Sequence, residues 1–425
     1  VTRRRSRLAT AGVLALLMIV AGLALLTRAQ SAPPQTVTLP GAMGDGSTML
    51  PNGWRIAPAG RHLNVGNMPL NLVQSLDGKY VIVTTSGLGR PSFSVVDVAS
   101  WTVKSTMPLD HAWLGLAWHP DGTKLYSAGG GQNNIQEFTF ADGVITRART
   151  FALPAQSGET FAGGLAISPD GRTLFATRVY TTTLSAIDLT SGQVQRTVVL
   201  PAEPYTTLVS ADGRRVFVSL WGGSVVQVYA TDSLALLREF SVGEHPNAMT
   251  LSNDGLRLFV ACGSSAAVWV IDTFSGQALE QISTNLFPKA PLTSTPNSLG
   301  LSPDGRTLLV ANGDNNAVAV IDVSNGGRSF VDGFIPTGWY PTGAIFSRDG
   351  KQVFVLSGKG LASGPNMAGA ANDPRLRGVV SIVAAPDRTT LAEHTRKVYA
   401  LTPYTDANRL SPPNIPIGSP IPQTV

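Results

Sequence analysis

Apolar and polar residues alternate with a period of two through most of this chain, in short runs separated by glycine-bearing turns. TLLVAN at Thr307–Asn312, RVFVS at Arg215–Ser219 and AVAVIDV at Ala317–Val323 are typical. Val, Ile, Leu and Phe recur in these runs with smaller or polar residues between them, which is the signature of β-strands. The runs follow one grammar. A short apolar segment such as Gly164–Ile167 or Ser298–Leu301 leads into an Asp-Gly turn and a second strand. A loop rich in Gly, Asn and Ser follows, then a third strand ending near aspartate. A second turn, such as Thr190-Ser191-Gly192, opens a fourth strand like Gln193–Leu200.

The turn is the most regular feature. Ser-x-Asp-Gly recurs seven times, with aspartates at Asp77, Asp121, Asp170, Asp212, Asp254, Asp304 and Asp349, spaced 44, 49, 42, 42, 50 and 45 residues apart. His119 replaces the serine in the second copy. Asp-Gly supplies the positive φ that a tight hairpin demands. A four-stranded sheet of this length cannot bury both faces alone, and radial stacking buries the sheets against one another. The pattern therefore predicts an all-β fold, a seven-bladed β-propeller over residues 54–386. The seventh copy lacks a fourth strand, and an orphan strand stands upstream at Arg61–Val65. That strand is expected to complete blade seven and close the ring.

Outside the repeat the period changes. Leu391, His394, Val398 and Leu401 fall at helical spacing, with Asp387 as N-cap and Pro403 as a stop, predicting a short C-terminal helix over 387–402. Residues 403–425 are proline-rich and read as a linker or tail, and residues 32–53 as a linker. At the start, Arg3, Arg4, Arg5 and Arg7 precede an apolar run from Leu8 to Leu26 and small residues around Ala29, Ser31 and Ala32. This is the layout of a signal peptide over 1–31, or of an uncleaved membrane anchor, since the apolar helix is also long enough to span a bilayer. Either places the body outside the cytoplasm, periplasmic or secreted.

Composition changes the picture at two points. Charged residues make up only 14% of the 425, against 44 glycines and 29 prolines, which suits short strands and turns rather than long solvated helices. The net charge of +5 belongs to the leader: residues 1–31 hold five arginines and no acid, leaving 27 basic and 27 acidic residues in the body. A nucleic-acid partner is therefore not expected. The single cysteine, Cys262, lies at the edge of a strand-like run and reads as a buried structural thiol.

The motifs just quoted, TLLVANGDNNAVAVIDV above all, resemble YVTN-family repeats, from which the YncE-like bacterial β-propellers are built. LPNGWRIAPAGRHLNVGNMPLNLV near the start, GKG with PN in the last loop, and VYALTPYTD near the end resemble the amino-terminal half of a two-part family. In that family a YncE-like propeller precedes a phosphoesterase domain related to alkaline phosphatases. The resemblance implies a phosphoesterase domain, or an envelope protein or ligand, as partner. It carries no metal or nucleophile residue onto this sequence, because those belong to the second domain.

In a propeller the loops joining strand four to strand one, and strand two to strand three, gather on one face, where function usually lives. The channel-mouth candidates are Asn71, His111, Trp113, Tyr205, His245, Asn247, Asn297, Trp339 and Tyr340. Rings there could stack on a ligand, and amides could hydrogen-bond it. The recurring Pro with Asn or Thr (Pro69 and Asn71, Pro246 and Asn247, Pro296 and Asn297, Pro341 and Thr342) equally reads as a loop closure that every blade needs. The insertion between strands two and three of blade seven, Gly358–Gly378, adds Lys359, Asn366 and Arg375. It is read as a lid over the channel or a docking surface for the second domain. The five histidines are scattered, so no metal is expected. Without Cys-x-x-Cys-His no covalent haem is expected either, and no cofactor is assigned. The reading is a monomeric, non-catalytic binding or scaffold module. Its alternative is a propeller enzyme, of lactonase or metal- or quinone-dependent oxidoreductase type, using Glu203, Glu244, His245, Asn247 and Asn297.

Overall fold

The computed structural model describes residues 38–154, 159–287, 294–365 and 376–403. The leader at 1–31, the tail at 404–425, Asn366 and Arg375 lie outside the described residues. Within residues 40–403 the chain forms seven four-stranded antiparallel sheets, spanning 69–108, 116–152, 162–199, 204–241, 246–283, 296–336 and 339–384. These are blades one to seven in that order. Blade seven takes its fourth strand from the other end of the body: Arg61–Gly66 pairs antiparallel with Gly378–Ala384, Leu63 opposite Val380.

The innermost strands of successive blades are neighbours all the way round, and Trp339–Phe346 of blade seven touches Pro69–Gln74 of blade one. Period-two alternation explains why. In the second strand of blade six, Leu308 and Val310 point into the core shared with blade five, while Leu309 and Ala311 point into the core shared with blade seven. Each of the seven hydrophobic clusters sits between one pair of adjacent blades, so the sheets bury both faces only by closing the ring.

The Asp-Gly turns form as their sequence requires. The seven glycines have φ between 69° and 75°. In blade one the Ser75 hydroxyl donates to Asp77 Oδ1 at 2.6 Å, and the same carboxylate accepts from Lys79 N at 3.0 Å. In blade two, His119 takes the serine's place beside Asp121, at 2.9 Å. The aspartates ending third strands act alike: Asp97, Asp188, Asp272 and Asp322 accept from Ser100, Ser191, Ser275 and Ser324.

Two expectations are corrected. Within the stretch expected as a linker over 32–53, Gly41–Ala42 and Thr48–Met49 are strands, and with Arg55–Ile56 they pair into a small sheet. It is anchored because Leu50, Trp54 and Ile56 are buried in the core between blades five and six. Second, Gly358–Gly360 belongs to the second strand of blade seven, Gln352–Gly360, rather than to the insertion, because Gly360 pairs with Trp339.

The helix runs Arg388–Leu401, with Thr390 N donating to Asp387 Oδ1 at 2.7 Å as the N-cap. It covers the outer strand of blade six: Thr395 Oγ1 accepts from Phe334 N at 2.9 Å, and Tyr399 donates to the Leu286 carbonyl at 2.6 Å. Among the described residues no helix is long and apolar enough to cross a membrane.

Candidate functional site

The loop face is built by one device repeated on four blades. Met68, His245, Thr295 and Tyr340 each precede a proline, and each has a left-handed backbone, with φ of 47°, 54°, 48° and 60°. A non-glycine residue in this region is strained, and strain persists only where the surroundings over-determine it. Here the surroundings are the next blade. Asn247 Nδ2 donates to the Pro296 carbonyl at 2.8 Å, and Asn297 Nδ2 to the Pro341 carbonyl at 3.1 Å. Thr342 donates to the Pro69 carbonyl at 2.6 Å, which joins blade seven to blade one. Asn71 Nδ2 reaches the Leu114 carbonyl at 2.7 Å. The recurring proline and amide therefore stitch neighbouring blades together. Asn71, Asn247 and Asn297, candidates for ligand contact, have their amide protons engaged in that work.

The side chains that differ between blades are arranged otherwise. Trp221, 44% exposed, stacks on His245 with ring centroids 4.1 Å apart, and His245 Nδ1 lies 2.6 Å from Ser264 Oγ. Lys359 Nζ sits over Trp339 at 5.1 Å and over Tyr340 at 4.8 Å from the ring centroids. Trp113 meets Phe161 edge-on at 5.2 Å, and Phe161 leans on the exposed Tyr180 at 5.7 Å. Trp113, Trp339, Tyr340, His245 and Lys359 thus lie in aromatic or cation–π contacts on this face, joined by Trp221, Phe161 and Tyr180. The sequence reading missed those three: its aromatic candidates came from strand four-to-one loops, whereas Tyr180 and Trp221 stand in strand two-to-three loops, and Phe161 stands in the four-to-one loop before blade three, from which no candidate was drawn. Comparing the blades column by column for unshared aromatics would have found them.

Tyr205 and Tyr340, on blades four and seven, are linked electrostatically. Burial pushes the Tyr205 phenol up to about 12, with Tyr340 adding to the effect. Burial also raises Tyr340, Asp314 adds to that, and a hydrogen bond with Asn297 opposes it. Both phenols are neutral donors at physiological pH. His111 is exposed beside Asp110, which pairs with Arg90 at 3.0 Å and Arg147 at 3.5 Å.

Other chemistry is placed elsewhere. His119 lies in a turn on the opposite face, His62 on the outer strand of blade seven, and His394 on the helix. Among the described residues no three His, Cys, Asp or Glu side chains are grouped to hold a metal. The Cys262 thiol is buried and pushed up to about 12 by that burial, which makes it a poor nucleophile. A cleft of about 820 Å³ between blades six and seven, beneath the helix, is lined by Asp304, Asp322, Asp332, Asp349 and Asp387 with Arg388. Burial and the neighbouring Asp322 raise the Asp332 carboxyl, while Arg388 opposes them.

With this geometry in view, comparison with known proteins adds a fold and one family likeness. Residues 16–219 match the family model described as SMP-30/gluconolactonase/LRE-like region. A chain of Kuenenia stuttgartiensis hydrazine synthase is similar in structure, with a TM-score of 0.58 and 16% identity over 72% of this chain and 98% of that one. At that identity the likeness speaks for the fold alone. The chain is a β-propeller. Comparison with curated proteins finds no match. The propeller's family likeness reaches from before blade one into blade four.

Proposed function

We propose that the propeller is an exported, non-catalytic binding module that seats a ligand or an envelope partner on its loop face. One observation carries this reading: the repeat-borne amides of that face hold blades together, while rings peculiar to single blades, with Lys359 among them, pack on one another there. Trp221 on His245, Lys359 over Trp339 and Tyr340, and the Trp113–Phe161–Tyr180 run offer flat apolar surfaces with few titratable groups. Such surfaces bind by stacking and desolvation rather than by proton transfer. The arginine-rich start and apolar run of the leader support export. The resemblance of LPNGWRIAPAGRHLNVGNMPLNLV and VYALTPYTD to the amino-terminal half of the two-part family supports a phosphoesterase-type domain as the partner.

Titrating the protein with soluble oligosaccharides and short peptides, read by intrinsic tryptophan fluorescence, tests the proposal. Saturable quenching that disappears in Trp221→Ala or Trp339→Ala is expected. A response that survives both substitutions would overturn it.

The family likeness favours a second reading, a lactonase working at the channel mouth through Glu203, Glu244 and His245. Hydrolysis of γ- or δ-lactones by the purified chain, dependent on an added divalent metal and lost in Glu244→Gln, would establish that reading over the first.

A further inference from the structure

One position recurs in every blade: the residue of the second strand that pairs with the start of the first strand, buried between blades at the loop end. Elsewhere it is small, apolar or neutral, as with Thr85, Leu220, Cys262 and Asn312. In blade three it is Arg178, paired with Ala162 and 1% exposed. Its Nε donates to Thr183 Oγ1 at 2.9 Å and its Nη1 to the Pro154 carbonyl at 2.8 Å. Nη2 is buried with no partner. Both acceptors are neutral, and Arg178 enters none of the ion pairs among the described residues.

This is out of character for the molecule. Its buried carboxylate, Glu137, is answered three ways: by Arg149 at 2.6 Å, Lys124 at 3.4 Å and the Tyr126 hydroxyl at 3.1 Å. A guanidinium stays charged in proteins, and a buried charge without a counter-charge is costly. Arg178 also adjoins the aromatic run through its backbone neighbour. The next residue, Val179, donates to the Phe161 carbonyl at 2.8 Å, and Phe161 is held between Trp113 and the exposed Tyr180. Two further buried polar oxygens close by in sequence and sheet, Asn133 Oδ1 and Thr181 Oγ1, have no partner. Asn133 Nδ2 itself reaches the same Pro154 carbonyl at 3.5 Å.

We propose that Arg178 is the seat for an oxyanion, a carboxylate or phosphate group carried by a small ligand of the loop face. Nη2 supplies one donor, and Nη1 a second on exchanging the Pro154 carbonyl for the ligand, giving the two-pronged contact that guanidinium makes with such groups. The body of the ligand then lies against Trp113, Phe161 and Tyr180. This deepens the reading of the loop face as a binding surface by giving the ligand's chemical class.

The test is thermal unfolding of the full chain in sodium phosphate, sodium acetate and sodium chloride at matched ionic strength. An anion that binds only the folded state raises Tm with the logarithm of its concentration. Phosphate also stabilises proteins without binding to a site, so the comparison with variants decides. The wild type is expected to gain Tm in phosphate or acetate over chloride, and whichever salt acts identifies the group. Arg178→Met is expected to lose that gain while unfolding no lower in chloride, and Arg178→Lys to keep a weaker gain. Arg306→Met, at an exposed residue of the blade-six Asp-Gly turn, should keep the full gain, and the tryptophan quenching described above remains a separate readout, so a failure of the anion seat is distinguishable from a failure of the aromatic site. Equal Tm in all three salts for the wild type, or an undiminished gain in Arg178→Met, would overturn the proposal.

Discussion

Replacing Gly300 by alanine tests how closely the blades must approach. Gly300 lies in the innermost strand of blade six, and a Cβ there would stand 2.4 Å from the Ala344 carbonyl oxygen and 2.9 Å from the Ile345 Cα of blade seven. Both obstacles are backbone, so no side chain can swing away, and the two blades must part. Overpacking of this kind costs about 1–3 kcal/mol, and a rigid backbone obstacle belongs at the upper end. With an unfolding entropy of ~2 cal/mol/K per residue, each kcal/mol moves the midpoint of a domain this size by about 1–2 °C. Gly300→Ala should therefore unfold roughly 3–5 °C below the wild type in a thermal scan followed by circular dichroism. Gly131→Ala is the control, because a Cβ there meets nothing within 4 Å. A Gly300→Ala protein that unfolds with the wild type and the control would refute the close-packed ring.

Three further outcomes follow from the same contacts. Glu137→Ala leaves the Tyr126 hydroxyl without its acceptor and Arg149 without its carboxylate, though Arg149 keeps the Leu189 and Thr190 carbonyls; with Arg149 also partly solvated, the expected loss is about 2–3 kcal/mol in urea unfolding. Glu137→Gln, which keeps an acceptor, should lose less. The Ser75, Ser168, Ser210, Ser252, Ser302 and Ser347 hydroxyls hold their turn aspartates below the usual carboxylate range. Because the folded pKa is the lower one, this contribution is present above about pH 4 and is lost as pH falls below it, so Tm should be flat above that pH and drop beneath it. Deleting residues 54–66 removes both the closing strand and the buried Trp54 and Ile56, and should abolish cooperative unfolding of the whole ring. An unchanged transition would contradict closure by that strand.

The sequence made the ring legible because its parts are local and repeated. Ser-x-Asp-Gly needs only its own residues to turn, alternation needs only its own strand, and the orphan strand Arg61–Gly66 was readable as the missing member of a counted set. The helix was readable for the same reason, its cap and period both lying within fifteen residues. What escaped depends on contacts across blades. Two-residue strands at Thr48–Met49 and Arg55–Ile56 have no period to read, and only burial against blades five and six orders them. The roles of Asn247, Asn297 and Thr342 were open because an amide beside a proline suits a ligand and a neighbouring carbonyl equally; the next blade decides. Arg178 carries no motif, and its isolation is visible only when its surroundings are.

The central claim is that the loop face binds without converting what it binds. Equilibrium dialysis of a fluorescence-active ligand against the full chain, followed by mass analysis of that ligand after prolonged incubation, addresses it directly. The account predicts saturable, Trp221-dependent retention of a ligand recovered chemically unchanged. Recovery of a hydrolysed or oxidised product, formed by the wild type and lost in Glu244→Gln, would contradict it.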